Sequence, residues 1–235
     1  MITKTIAIHQ PNLFPWYGYF MKIAQSDQFI FFDHVSISNS KDWVSRVKIL
    51  LNGKPFWISM PIHTSGGVKH IFEVPLATGN AWRKILGTIK LAYYRHPHFR
   101  EIYEFLNTFA SKDSDKISNL NIDFITTLTS KLGFDKVSFD RTSSYDEINK
   151  SAKTQTGLIV QVCEYFKASH YLSGTGCLGF LDDTEFARKH LILEFQNLEG
   201  FAYPQKGLKD FVPGLSIIDI LMNCGFNNTR NRLLP

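Results

Sequence analysis

Ile6-Ala7-Ile8-His9-Gln10-Pro11-Asn12-Leu13-Phe14-Pro15-Trp16-Tyr17-Gly18-Tyr19-Phe20 decides how this chain is read. It begins as a short apolar strand, breaks into a polar loop between two prolines, and leaves through an aromatic, glycine-containing helix start. Such a strand places His9, Gln10 and Asn12 at the carboxyl end of a sheet, where open α/β folds hold their ligands. The plain alternative is that Pro11 and Pro15 merely turn the chain, since each fixes its own φ and pushes the residue before it away from helix. Trp16, Tyr17, Tyr19 and Phe20 would then fill a core. A His, a Gln and an Asn packed between prolines are poor choices for a mere connection, and the functional reading is preferred.

Downstream of the loop, residues 16–25 carry apolar side chains at helical spacing, and 28–33 reads as a buried strand ending in Asp33. Strand, loop, helix and strand make a βαβ unit, so the two strands should be parallel and Asp33 should share a sheet edge with His9. The serine-rich stretch 34–42 reads as a ligand-covering loop. Two strands over 44–51 and 55–61 are joined by Asn52-Gly53, a strong hairpin signal. Alternation puts Arg46 and Lys48 on one face of that hairpin, equally well a solvated face or an anion clamp. The glycine loop 63–70 lacks the Gly-Lys-Ser/Thr ending of a phosphate loop, and its two histidines have no metal-ligand spacing.

Three helices are expected over 82–94, 99–109 and 116–132, a helical insertion at about 80–133 within one α/β domain spanning 1–235. A short strand at 137–140 reopens the α/β pattern, and a helix follows over 157–166. Lys153 and Thr154 open that helix, where exposed amides and the dipole favour an anion, or where Thr154 simply caps. A strand then runs into Ser173-Gly174-Thr175-Gly176, whose small side chains, hydroxyls and accessible amides suit a phosphate or carboxylate, unless the glycines serve only positive φ. The last helix is expected over 216–223, capped by Ser216 and closed by Gly225, with a loosely held tail from 227. The fold class expected is therefore three-layer α/β, with a mainly parallel sheet, a β-hairpin excursion and a central helical insertion.

The 235 residues suffice for a real core, and 20 phenylalanines give it large rings. A net charge of +5 is spread along the chain rather than clustered. An anionic small molecule, a nucleotide or nucleotide sugar, fits this better than nucleic acid. Three distant cysteines make no disulfide framework, no apolar run reaches a membrane span, and Met1 leads straight into a strand. A cytoplasmic protein is expected, with self-association open.

Ile8-His9-Gln10-Pro11-Asn12, Pro15-Trp16 and Gly18-Tyr19-Phe20 together resemble the opening motif of the WbqC-like family of bacterial proteins, found with surface-polysaccharide and O-antigen genes. Asp33 with Trp43 and Arg46 resembles the family's second polar cluster, and Trp82-Arg83-Lys84 its third. Further matches are Lys153-Thr154, Tyr171 to Gly176 with Leu181-Asp182, Tyr203-Pro204-Gln205 and Leu215 to Asp219. His34 stands where the family usually carries a second acid, and Ser45 where an Asn commonly precedes the arginine.

The resemblance implies modification of an activated sugar, and the leading expectation is a transferase that moves an acyl or aminoacyl group to a nucleotide-activated amino sugar. His9 and Asp33 are the candidate catalytic pair, base and tautomer holder. Gln10, Asn12, Trp16, Trp43, Arg46, Lys153, Thr154, Ser173, Gly174, Thr175 and Gly176 are the candidate substrate-binding residues. No metal set and no cofactor fingerprint is present, leaving ATP or an acyl carrier open. The helix start after His9 also faintly resembles ATP-using nucleotidyltransferases, which place His-x-Gly-His there, although Tyr17 and Tyr19 break that motif. The remaining alternative is a non-catalytic nucleotide-sugar binding protein.

Overall fold

The computed structural model describes residues 3–37, 42–64, 70–77, 79–112, 114–149 and 154–234. Strand β1 (Thr5–His9), helix α1 (Tyr17–Ala24) and strand β2 (Gln28–Phe31) form the expected βαβ unit. The strands run parallel, with Ile6 opposite Gln28 and His9 opposite Phe31. Beyond β2 lies β5 (Ser138–Arg141); on the other side of β1 lie β6 (His170–Ser173) and then β7 (Ile192–Phe195), every pairing parallel. Across the sheet the order is β5-β2-β1-β6-β7. Counting only this sheet, the strands stand third, second, first, fourth and fifth in chain order. That is a doubly wound sheet whose order reverses between β1 and β6, the place where ligands gather in such folds.

Successive strand residues point to opposite faces, and the two cores follow that rule. Ala7, Phe29, Phe31 and Leu172 join one core, whereas Ile6, Ile8, Ile30 and Tyr171 join the other. The first face is covered by α1, α2 (Ala81–Tyr93), α3 (Phe99–Ala110), α4 (Ile117–Lys131) and α7 (Ile217–Leu233). The second is covered by α5 (Gln155–Tyr165) and α6 (Asp183–Arg188). No described helix is long and apolar enough to cross a membrane.

The hairpin consists of β3 (Arg46–Leu51) and β4 (Lys54–Ser59), turned by Asn52 and Gly53 at φ 51° and 72°. Both lie in the left-handed region that a type I′ turn needs. Arg46 and Lys48 share a face as expected, and there they sit over the Trp57 ring at 4.1 and 5.1 Å. Their charges are held by an aromatic surface.

The carboxyl end departs from expectation. Gly225 breaks the helical ladder at φ 72°, ψ 176°, yet α7 resumes and runs to Leu233 instead of ending in a loose tail. The reason is burial: Phe226 and Leu233 pack into the first core, and Thr229, at helical spacing between them, is buried. Residues 38–41 of the serine-rich loop, 65–69 of the glycine loop and Lys153 lie outside the described residues.

Candidate functional site

The loop after β1 is fastened from three directions. Asn121 of α4 donates through Nδ2 to the carbonyls of Pro11 and Val44, each at 2.8 Å. The Leu13 N–H donates to Trp43 O at 3.0 Å, and Ile217 N–H to Pro15 O at 2.8 Å. Ser216 Oγ, at the start of α7, donates to Phe14 O at 2.8 Å. These bonds hold Phe14 at φ 40°, a left-handed conformation that costs a bulky residue about 1–3 kcal/mol. Gly18 is needed for a different reason: a Cβ there would lie 2.7 Å from the Trp16 ring, which rests on the first turn of α1.

Two cavities open on this loop. One, of about 300 Å³, is lined by His9, Asn12, Leu13, Pro15, Trp16, Trp43, Val47 and Gly214. The other, of about 220 Å³, lies over the β1–β6 boundary and is lined by Ile8, His9, Trp16, Tyr19, Lys22, Tyr171, Gly174, Thr175, Gly176, Cys177 and Gln196. His9 and Trp16 belong to both. The turns after β1 and β6 thus open onto one cleft at the place where the strand order reverses.

In this cleft His9 Nδ1 stands 3.1 Å from the Gln10 carbonyl. A carbonyl only accepts, so that contact puts the proton on Nδ1 and leaves Nε2 as an acceptor. The Tyr19 ring meets the imidazole edge-on at 4.7 Å, and its hydroxyl donates to the same Gln10 carbonyl at 3.0 Å. Burial first, and the neighbouring Lys22 charge second, bring the His9 pKa down from 6.5 to about 3 against the pull of the Gln10 bond. The imidazole is neutral at physiological pH. Asn12, 8% exposed, lines the first cavity, and its buried Oδ1 has no hydrogen-bond partner among the described residues.

Lys22 is 2% exposed, and its Nζ donates to the Ile8 carbonyl at 3.2 Å. Burial lowers the amine from 10.5 to about 7, with nearby Cys177 opposing the shift. Nothing in the sequence reading singled out Lys22. The available signal was its isolation, for it is the one charged residue in the helix YGYFMKIA.

Asp33 is placed differently from the pairing drawn from sequence. It sits at the same sheet edge but is fully buried, with Oδ2 2.6 Å from Arg141 Nη2 and 2.8 Å from both Arg141 Nε and Ser143 Oγ. Oδ1 accepts from the Ser143 N–H at 2.9 Å and from Thr142 Oγ1 at 3.3 Å. The contact that orients His9 is therefore the Gln10 carbonyl, and Asp33 ties β2 to the chain after β5.

Of the other candidates, Asn12, Trp16 and Trp43 line the first cavity and Gly174, Thr175 and Gly176 the second. Ser173 is fully buried behind its turn, and its Oγ lies 3.5 Å from the Gly174 carbonyl. Gln10 contributes its backbone carbonyl. Arg46 lies over Trp57 and lines neither cavity. Thr154 caps α5, accepting from the Gly157 N–H at 2.8 Å and donating to Glu185 at 3.0 Å, so the capping alternative describes it. Tyr19, Lys22, Cys177 and Gln196 complete the cleft without having been anticipated as part of it.

No solved structure matches the chain. A relative designated Uncharacterized protein Rv1507c, from Mycobacterium tuberculosis, is 27% identical over 224 residues, covering 94% of each chain. The sequence profile of the WbqC-like protein family matches residues 10–231, and the chain belongs to that family.

Proposed function

We propose that the cleft over the β1–β6 boundary is the active site of a cytoplasmic transferase of surface-polysaccharide biosynthesis, which moves an acyl or aminoacyl group to the amine of a nucleotide-activated amino sugar. The observation that carries this reading is His9: a neutral imidazole whose acceptor nitrogen has no partner among the described residues, standing in the wall shared by two cavities. Donor and acceptor in adjoining chambers would meet at that wall. The sugar amine attacks the acyl carbonyl carbon, the donor's leaving group departs, and the proton lost from nitrogen passes to His9 Nε2. Trp16 and Trp43 offer flat apolar surface, and Asn12 Oδ1 an acceptor for a ligand N–H or O–H. Asp33 enters as the residue that fixes the sheet edge behind the site.

A second reading follows from the strand order. A doubly wound sheet with a His-bearing loop leading into α1 suits a nucleotide, and an ATP-using nucleotidyltransferase would place it at the same boundary. Incubating the protein with UDP- and dTDP-linked amino sugars plus acyl or aminoacyl donors, and separately with ATP, separates the two by mass spectrometry. An N-acylated sugar nucleotide supports the transferase, whereas pyrophosphate release with adenylate transfer supports the other. Ligand-induced melting shifts without turnover in any mixture would identify a binding protein and overturn both.

A further inference from the structure

Lys22 poses a problem that the proposed transfer chemistry does not use. An ammonium removed from water needs a counter-charge or several acceptors. Among the described residues, Lys22 makes no ion pair, no Asp or Glu lines its cavity, and one carbonyl accepts from its three N–H donors. The backbone of the turn after β6 comes close to it, for the Cβ that Gly174 lacks would lie 3.9 Å from Nζ. At Gly176 a Cβ would meet nothing within 4 Å, so that side of the cavity is open.

We propose that the cavity over the β1–β6 boundary is an anion site in which Lys22 receives a phosphate group of the substrate. The assignment rests on the nucleotide-activated substrate proposed above and places it in this chamber, phosphates against Lys22 and the Gly174–Gly176 turn and the amine at His9 in the shared wall, which leaves the other chamber to the donor. It also gives the ligand a part in the chemistry. The Lys22 charge is one of the two causes that depress the His9 imidazole. A phosphate that neutralises that charge raises the basicity of His9 as the substrate arrives, so the base strengthens only in the loaded site.

The linkage has a definite sign. The groups facing Lys22 are His9 at the end of β1, Tyr19 on α1, Tyr171 on β6 and Cys177 in the turn after it. His9 titrates near 3 and burial pushes both tyrosines above 10, leaving Lys22, near 7, with Cys177→Ser as the control for the neighbouring side chain. An anion binds the ammonium form, so affinity is full below pH 7 and falls about tenfold per pH unit above it.

Sulfate keeps a fixed charge across this range and serves as one probe, with inorganic pyrophosphate as the other, both followed by calorimetry on the intact protein between pH 6 and 8.5. The expected result is binding that weakens above pH 7 in the wild type and in Cys177→Ser. Lys22→Met should lose at least tenfold in affinity and lose the pH slope while keeping the wild-type circular dichroism spectrum and melting temperature or better. Lys22→Arg, which keeps a charge but titrates far higher, should bind without that slope. Equal affinity in wild type and Lys22→Met, or no binding of either anion to the wild type, overturns the assignment. Lys22-dependent anion binding by a protein that turns over no sugar nucleotide would leave the anion site standing and remove the transferase reading.

Discussion

Two polar clusters lie along the carboxyl edge of this sheet, and they have opposite characters. At the end of β2, Asp33 is saturated: guanidinium, hydroxyl and amide donors occupy both of its oxygens, and it has no exposed surface. At the end of β1, among the described residues, Asn12 Oδ1 has no partner and Lys22 has one acceptor for three donors. The cause is the sheet order. β2 is followed on its outer side by β5, and the chain leaving β5 folds back over Asp33 through Thr142 and Ser143. β1 is followed by β6, across the reversal, where the two loops diverge and leave a cleft. Polar groups gathered at the carboxyl ends of neighbouring parallel strands thus serve as a clasp in one case and as a candidate site in the other.

Substitution should split the clusters by what is lost. The largest effect is expected for His9→Gln: turnover in the transfer assay falls roughly 10²–10⁴-fold, the usual contribution of a general base. Substrate melting shifts should stay within about 1 °C of wild type, because Gln keeps a hydrogen-bonding side chain and the loop is fastened elsewhere. A His9→Gln protein with full turnover would dissolve the distinction. Next comes Arg141→Met, which strands a fully buried carboxylate and should cost about 3 kcal/mol of stability by urea unfolding, near the lower bound for breaking a buried pair. Ser143 and Thr142 still donate to Asp33, which is why the lower figure applies. Its turnover per folded molecule should be near normal.

How far the sequence carried this picture depends on range. The βαβ unit, the hairpin turned at Asn52-Gly53 and the three central helices were readable because each is set by local spacing and turn chemistry. Nearness of the turns after β1 and β6 was readable from their shared edge. The pairing of Asp33 with Arg141 was not, for it spans 108 residues and depends on which strand becomes the neighbour of β2. Lys22 escaped because helical periodicity marks a face as buried and does not say that a cavity lies beneath it. The resumption of α7 after Gly225 was hidden by a residue that usually ends helices, while the burial of Phe226 and Leu233 overrides it.

A third buried polar group tests whether saturation, rather than burial, keeps a carboxylate out of the chemistry. Asp219 in α7 is fully buried and accepts from Tyr93 Oη and Tyr203 Oη at 2.8 Å each, with Gln205 Nε2 at 3.3 Å. Burial raises its pKa despite those donors. A raised carboxylate pKa means that the folded state holds the proton more tightly than the unfolded one. Its contribution to stability is therefore present at low pH and is lost as pH rises from the unfolded value through the folded one. Asp219→Asn should flatten the fall in stability that sets in above the ordinary carboxylate pKa of about 4, measured by urea midpoints, and should leave the pH dependence of turnover unchanged. A shifted rate profile would place this cluster in the site after all.

The smallest effect is expected at Gly18, and it sharpens the comparison from the open side. In a helix, Gly→Ala ordinarily stabilises by about 1 kcal/mol. Here the new Cβ would press on Trp16 Cη2 and Cζ2, both at 2.7 Å, and a displaced ring costs about 1–3 kcal/mol. The net is about 0–2 kcal/mol of destabilisation, so Gly18→Ala should still fold while moving Trp16, which lines both cavities. A well-folded variant with weakened ligand binding is the expected outcome, read by calorimetry alongside urea unfolding. If binding persists unchanged, the ring is wall material that can give way, and recognition in the first cavity falls to Asn12 and Trp43.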